Sequence, residues 1–220
     1  GEIATATYID NQGNTVSYKV ARFDFATVNV GDGVTVNLTG DNPLELAVTR
    51  DVTILTALDL NGTEGTNAGT TIMGRLGGGH GGHEWTGNAA TNWTPGGGPA
   101  NLTTTDYFNS GGAAFKGWGD YRSIGLVAGQ EPGGGSYGGI GGRPEPTGGM
   151  GQYDDDGPSG GTYGDIDLTH LLGGSGGGGG NDRSGGTGGG AIKIIAGGTL
   201  TIGGNIHANG GKGGALSNEA

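Results

Sequence analysis

One short pattern occurs twice in this chain, on either side of a long glycine-rich stretch. Residues 51–65 carry the first copy, which reads Asp-Val-Thr-Ile, then Leu-Asp-Leu-Asn-Gly, then a closing glycine. Residues 199–213 carry the second copy as Thr-Leu-Thr-Ile, then Ile-His-Ala-Asn-Gly, and again a glycine. Two short alternating strands followed by an Asn-Gly corner are typical of one rung of a stacked repeat fold. We therefore expect the two copies to be neighbours in space although an insert separates them in sequence.

Apolar and polar residues alternate through most of the first 60 residues, with heavy use of Thr and Val, and again at 191–196. This alternation is the β-strand period, so we predict an all-β fold with little or no α-helix, built as a β-solenoid or β-sandwich-like scaffold. A hairpin or loop is expected at 11–14, and the later strands are expected to form a coil of parallel strands. The predicted strands are 3–9, 16–25, 34–38, 44–48 and 52–54.

The chain divides into three regions at the places where this alternation stops and resumes. Residues 1–65 form the β-rich N-terminal strands and first rungs, and residues 66–190 form the glycine-rich insert. Residues 191–220 return to the β pattern, and we expect them to stack on the first part. Solenoids accept insertions at rung corners because each rung contacts only its neighbours.

Glycine accounts for 58 of the 220 residues, and the insert holds most of the glycine doublets and triplets. Helix is not expected there, since each interior glycine costs about 1 kcal/mol relative to alanine. The insert is then either a flexible linker or a packed bundle of extended glycine helices in the polyproline II conformation, joined by N–H to carbonyl bonds. Every Trp of the chain lies in the insert. Because disordered linkers are poor in aromatic residues, we favour the packed polyglycine II bundle.

Composition excludes several function classes. The net charge is −11 and the ten basic residues are scattered, so we expect no binding to nucleic acid, which needs clustered Lys and Arg. The chain has no Cys, which excludes disulfides and thiolate metal sites. It also has no apolar run long enough to span a membrane. With 31% hydrophobic residues, a large conventional core is not expected.

One cluster carries metal-binding residue types at close spacing. His80 and His83 are three residues apart and Glu84 follows directly, which is a candidate zinc site by residue type. Helical zinc motifs need a helix that this glycine-rich context does not form. The alternative is a polar turn whose imidazoles donate to nearby carbonyls.

A second cluster is the densest acidic patch of the chain. Asp154, Asp155 and Asp156 are consecutive, and carboxylate oxygens are ligands that calcium accepts. The ordered spacing of an EF-hand loop is missing, so a solvated acidic loop is the alternative to a calcium site. Calcium is the candidate cofactor of this second cluster, and no organic cofactor is expected.

The tryptophans suggest a third kind of site. Trp85, Trp93 and Trp118 could stack on sugar rings at the tips of a glycine bundle. The alternative is that these rings form the core of the insert. No sequence motif indicates a nucleophile, a phosphate-binding loop or a defined acid and base pair, so we expect no enzyme.

The order of parts resembles a group of known domains. The Thr- and Val-rich start, the glycine-rich middle ending in Leu171-Leu172-Gly173-Gly174-Ser175, and the closing Ile206-His207-Ala208-Asn209-Gly210 are similar to glycine-rich domains of large secreted or surface-displayed bacterial proteins. A looser likeness is to glycine-rich tail-fibre adhesins of T-even-like phages. Both resemblances imply an extracellular or cell-surface location.

Two functions from different classes follow from these observations. The first is a structural subunit of a self-assembling extracellular fibre or surface layer, a homo-oligomer or filament formed by strand or rung stacking. It is indicated by the last rung, after which no helix or charged segment is expected to cover the open end. The second is an adhesin or glycan-binding module that uses the tryptophans.

Overall fold

The structure, a computed structural model, describes residues 1–9, 15–66, 72–82, 170–178 and 184–214. These residues form nine β-strands and no helix, so the prediction of an all-β chain is confirmed for the described part. That part holds no helix long and apolar enough to cross a lipid bilayer. The strands are β1 (Glu2–Ile9), β2 (Thr15–Phe25), β3 (Val28–Val30), β4 (Leu44–Val48), β5 (Val52–Ile54), β6 (Leu58–Asp59), β7 (Ile192–Ala196), β8 (Leu200–Ile202) and β9 (Ile206–His207).

The strands form three sheets that the chain visits in turn. Their orders are β1-β2-β4-β7, β3-β5-β8 and β6-β9. The chain therefore passes three times through neighbouring positions, and we name the passes by residue range: the first layer is 15–30, the second layer 44–66 and the third layer 192–214. All pairs between layers are parallel, whereas β1 pairs with β2 in antiparallel fashion.

The two copies of the repeat lie side by side, as predicted. Leu44 pairs with Ile192, Val52 with Leu200 and Leu58 with Ile206, which is a constant offset. The same offset of 148 residues joins the two asparagines of the Asn-Gly corners, because the Asn209 side-chain amide donates to Asn61 Oδ1 at 3.0 Å. The register is thus the same across all three sheets.

Apolar side chains from the layers meet in one main core. Its buried members pack against half-buried side chains of the first and third layers. Burial of this kind stabilises a fold by about 25 cal/mol per Å² of apolar surface removed from water. The buried members are Val48, Val52, Ile54, Leu58, Leu60 and Leu76.

One predicted strand is wrong. Residues 34–38 form no strand, although Val36 and Leu38 still pack against the main core. A strand needs a neighbour at ladder distance. The third sheet contains only β6 and β9 among the described residues, so this segment has no such neighbour there. Glycines in the left-handed region bracket it, with φ of 75° at Gly33 and 112° at Gly40.

The hairpin of β1 and β2 has a second, smaller core. Tyr18, Val20 and Leu172 are buried in it. The ring of His170 lies 4.4 Å from the ring of Tyr8, centroid to centroid. Residues 170–172, which precede the glycine-rich residues 173–178, therefore cover one face of the hairpin. The predicted hairpin loop at 11–14 lies outside the described residues.

The described glycine segments are bound to one another by hydrogen bonds that recur every third residue. Gly79 N–H donates to Gly174 O at 2.7 Å, and Gly82 N–H donates to Gly177 O at 2.9 Å. Segment 184–190, here called the central segment, is buried along its whole length. Its hydrogen-bond partners lie in four other segments, 60–66, 79–82, 174–177 and 211–214.

Candidate functional site

The most distinctive surface of the described chain is the outer side of the third layer. Inward positions of the second layer are 0–3% exposed, whereas the positions that pair with them in the third layer are 38–47% exposed. All six side chains are apolar, so the difference lies in what covers them rather than in residue type. The second-layer residues are Val52, Ile54 and Leu58. The third-layer residues are Leu200, Ile202 and Ile206.

The backbone of this surface also lacks a partner strand among the described residues. β7, β8 and β9 are the last strands of their sheets. Leu44 N–H donates to Ala191 O at 3.0 Å, and Gly197 N–H donates to Val48 O at 2.8 Å. In a parallel ladder these groups alternate in direction, so the backbone N–H and carbonyl groups of Ile192 and Ile194 point away from β4. An edge of this kind is a template for another strand.

The opposite end of the stack, at the first layer, has a similar character. Phe23 and Phe25 are exposed, and their rings are stacked with centroids 6.4 Å apart. β1 pairs with β2 only as far as Arg22. The outer edges of Phe23–Phe25 and of β3 therefore have no strand partner in the described part of the chain.

Both ends belong to the same columns of side chains. Eight columns of paired residues run from the first layer through the second to the third, and four of them have an apolar residue at either end with no further strand beyond it among the described residues. Their first-layer ends are Phe23, Phe25, Val28 and Val30, whereas Ala21 is covered by Ile3 of β1. Their third-layer ends are Ile194, Ala196, Leu200 and Ile202.

Charged side chains lie on the outer face of the first sheet. Glu45 is placed between Arg22, at 3.2 Å, and Lys193, at 3.6 Å, so one carboxylate bridges cations of the first and third layers. Hydrogen bonding to Asp24, followed by the charge of that carboxylate, raises the pKa of Arg22. These pairs are solvent-exposed on at least one side, so water screens them and they add little to stability.

A second ion pair lies beside the Asn-Gly corner. Arg75 Nη2 lies 2.9 Å from Asp59 Oδ2, and Arg75 Nε donates to the carbonyl of Asn61 at 3.1 Å. The backbone N–H of Asn61 is the largest influence lowering the pKa of Asp59, and Arg75 lowers it further. The guanidinium of Arg75 therefore links segment 72–76 to the second layer.

Two buried hydroxyls, those of Ser184 and Thr187, make contacts that the sequence did not predict. Thr63 N–H donates to Thr187 Oγ1 at 2.7 Å, and Thr66 N–H donates to Ser184 Oγ at 2.8 Å. Each hydroxyl satisfies a backbone donor of the second layer from within the central segment. The signal in the sequence is their spacing, because Ser184, Thr187 and Gly190 recur every third residue in a glycine run.

His80 is the one predicted site residue that the structure describes. It is half-buried, and burial away from water lowers its pKa. The residues expected to act with it, His83 and Glu84, lie outside the described residues. Within the described ranges no group of three His, Cys, Asp or Glu side chains is placed to hold a metal ion.

The remaining predicted sites also lie outside the described residues. They are the calcium candidates Asp154, Asp155 and Asp156 and the stacking candidates Trp85, Trp93 and Trp118. Comparison of the chain with known protein families, with curated proteins and with solved structures gives no match.

Proposed function

We propose that this chain is the subunit of an extracellular fibre or surface layer, assembled by end-to-end stacking of the layers. The observation that carries the proposal is the contrast in exposure between paired positions of the second and third layers. Ile54 is 2% exposed and Ile202 is 38% exposed, although they are the same kind of side chain in the same column. Another layer placed on the third would bury Ile202 as the third buries Ile54.

The partner that suits this surface is the first layer of a second copy. Four columns end in an apolar side chain at both open ends, so stacking the third layer on the first layer of another copy would continue these four columns without placing a polar group in the core. Such a contact is heterologous, because the two surfaces differ. Heterologous contacts that do not close into a ring propagate into filaments.

The finer description of the fold belongs to the same proposal. The three layers are rungs of a β-solenoid, and the segments joined every third residue form a polyglycine II bundle beside it. Three residues per turn is the repeat of the polyproline II helix, which supports this assignment. The extracellular location is supported by the resemblance to glycine-rich domains of secreted bacterial proteins.

The proposal is tested by assembly of the full chain. We expect wild type to form elongated particles in negative-stain images and to elute at a mass that rises with concentration in size-exclusion chromatography with light scattering. Ile202→Glu places a charge on the junction and is expected to stay monomeric with an unchanged circular dichroism spectrum. Met73→Glu is the matched control, because Met73 is 69% exposed and lies outside both end surfaces; this variant should assemble like wild type.

A folded wild-type chain that remains strictly monomeric at high concentration would refute the proposal. Equal assembly of wild type and Ile202→Glu would refute the assignment of the third layer as the junction.

A further inference from the structure

The second layer contains two glycines that its neighbours require. A Cβ added at Gly62 would overlap the carbonyl oxygen of Thr187 and lie 2.8 Å from Gly211 N. A Cβ added at Gly65 would overlap the carbonyl oxygen of Ser184 and Gly214 N. The third layer and the central segment pack directly on the backbone here, so no side chain fits at either position.

The third layer has glycine at the two equivalent positions, where the chain itself does not need it. The nearest atom to a Cβ added at Gly210 is Thr187 O at 3.6 Å, which is ordinary contact, and a Cβ added at Gly213 meets nothing within 4 Å. Neither residue is among the described glycines with positive φ. Alanine at such positions stabilises a folded monomer, because it restricts the unfolded chain.

The backbone N–H groups of Gly210 and Gly213 point away from the second layer, as their counterparts one layer earlier show. Gly62 N–H donates to Asn209 O, and Gly65 N–H donates to Lys212 O, both at 2.7 Å. The repeat places the N–H groups of Gly210 and Gly213 in the same direction one layer further on, and no described carbonyl accepts them. A segment that packed on Gly210 and Gly213 in the same way would supply carbonyl oxygens at a three-residue spacing and would come close enough to exclude a Cβ.

We infer that an extended backbone segment of a second copy of this chain packs on residues 208–214, as those residues pack on 60–66. The inference rests on the proposed function and adds to it a glycine junction beside the apolar one. Asn209 extends the same contact, because its N–H and its side-chain amide both donate to Asn61 Oδ1, at 2.9 and 3.0 Å, and the equivalent oxygen one layer further on, Asn209 Oδ1, belongs to an exposed residue. The partner is the same chain because the apolar columns that end beside this segment continue in its first layer.

The experiment compares the double variant Gly210→Ala and Gly213→Ala with wild type and with Gly177→Ala, using the full chain. Gly177 is the matched control, since a Cβ there would have contacts no closer than 3.9 Å and it lies away from the third layer. We expect the double variant to fold at least as stably as wild type and to raise the critical concentration for assembly about tenfold or more. Gly177→Ala should assemble at the wild-type concentration.

Amide hydrogen exchange supplies a second readout on unmodified protein. The N–H groups of Gly210 and Gly213 should exchange rapidly in the monomer and at least about tenfold more slowly after assembly. The inference is overturned, and the proposed function stands, if wild type assembles, Ile202→Glu does not, and the double alanine variant assembles at the wild-type concentration. It is also overturned if the two amides exchange equally fast in both states, while a wild type that never assembles refutes both proposals.

Discussion

Replacing Gly188 by alanine tests whether the glycine segments are packed backbone to backbone. Gly188 is buried in the middle of the central segment, where its N–H donates to Gly79 O at 2.9 Å. An added Cβ would overlap the carbonyl oxygen of Gly174 and lie 3.0 Å from Gly79 N. Since both obstacles are backbone atoms, no side-chain rotation relieves the overlap, and the segments must separate.

The cost of this separation has two parts. Overpacking a buried site costs about 1–3 kcal/mol. Moving the central segment also weakens the bond to Gly79 and the neighbouring bond from Gly174 N–H to Gly189 O, each worth about 1 kcal/mol. The restricted unfolded chain returns about 0.4–1 kcal/mol. We therefore expect Gly188→Ala to lower the free energy of unfolding by about 3 kcal/mol.

Urea denaturation followed by circular dichroism, below the concentration of assembly, measures this loss. With an m value of about 2 kcal/mol per M, the midpoint should fall by about 1.5 M. Gly177→Ala carries the same chemical change at a site with room for the methyl group, and its midpoint should stay within about 0.3 M of wild type. A Gly188→Ala midpoint that matches wild type would refute backbone packing of the central segment.

Three further predictions follow from particular contacts. Thr187→Val removes the buried acceptor of Thr63 N–H and should cost about 1–3 kcal/mol in urea denaturation, whereas Thr187→Ser keeps the hydroxyl and should cost less; equal losses would contradict the role of the oxygen. Ile54→Ala should lower monomer stability by about 2–5 kcal/mol, and Ile202→Ala should cost less than half as much because its side chain is 38% exposed; similar losses would mean that the third layer is covered in the monomer. Burial lowers the pKa of His80 below its ordinary 6.5, so its unfavourable effect is absent above the unfolded value and grows as the pH falls from there toward the lower folded pKa. Thermal unfolding of wild type should accordingly lose more stability between about pH 7 and pH 5 than that of His80→Gln, and identical pH profiles would contradict the shift.

Local sequence pattern was sufficient for most of the strands and for the pairing of the two repeat copies. Alternating apolar residues define which side chains face inward, and two copies with the same alternation pair most favourably in the register that joins equivalent positions. That is why 52–54 pairs with 200–202 in the predicted manner. Residues 34–38 have the same alternation but no neighbouring strand in the described chain, because strand formation depends on a partner that the segment does not itself encode.

The candidate site was predictable only in outline. The sequence predicted that the second repeat copy stacks on the first, but not which side chains of the third layer are exposed. It did not distinguish Gly62, which close backbone packing requires, from Gly210, which has open space beside it. The paired exposures of Ile54 and Ile202 likewise depend on which layer lies outermost.

By itself the sequence determined most of the β-strand content, the equivalence of the two repeat copies and the side of those strands that faces the core, because these follow from residue spacing over short distances. The tertiary structure decided which glycine segments are neighbours, since glycine has no side chain whose size or charge could select a partner. It also decided that Ser184 and Thr187 bond to the second layer and that Gly210 and Gly213 have open space beside them. Contacts between distant backbones set these features, and no local pattern records them.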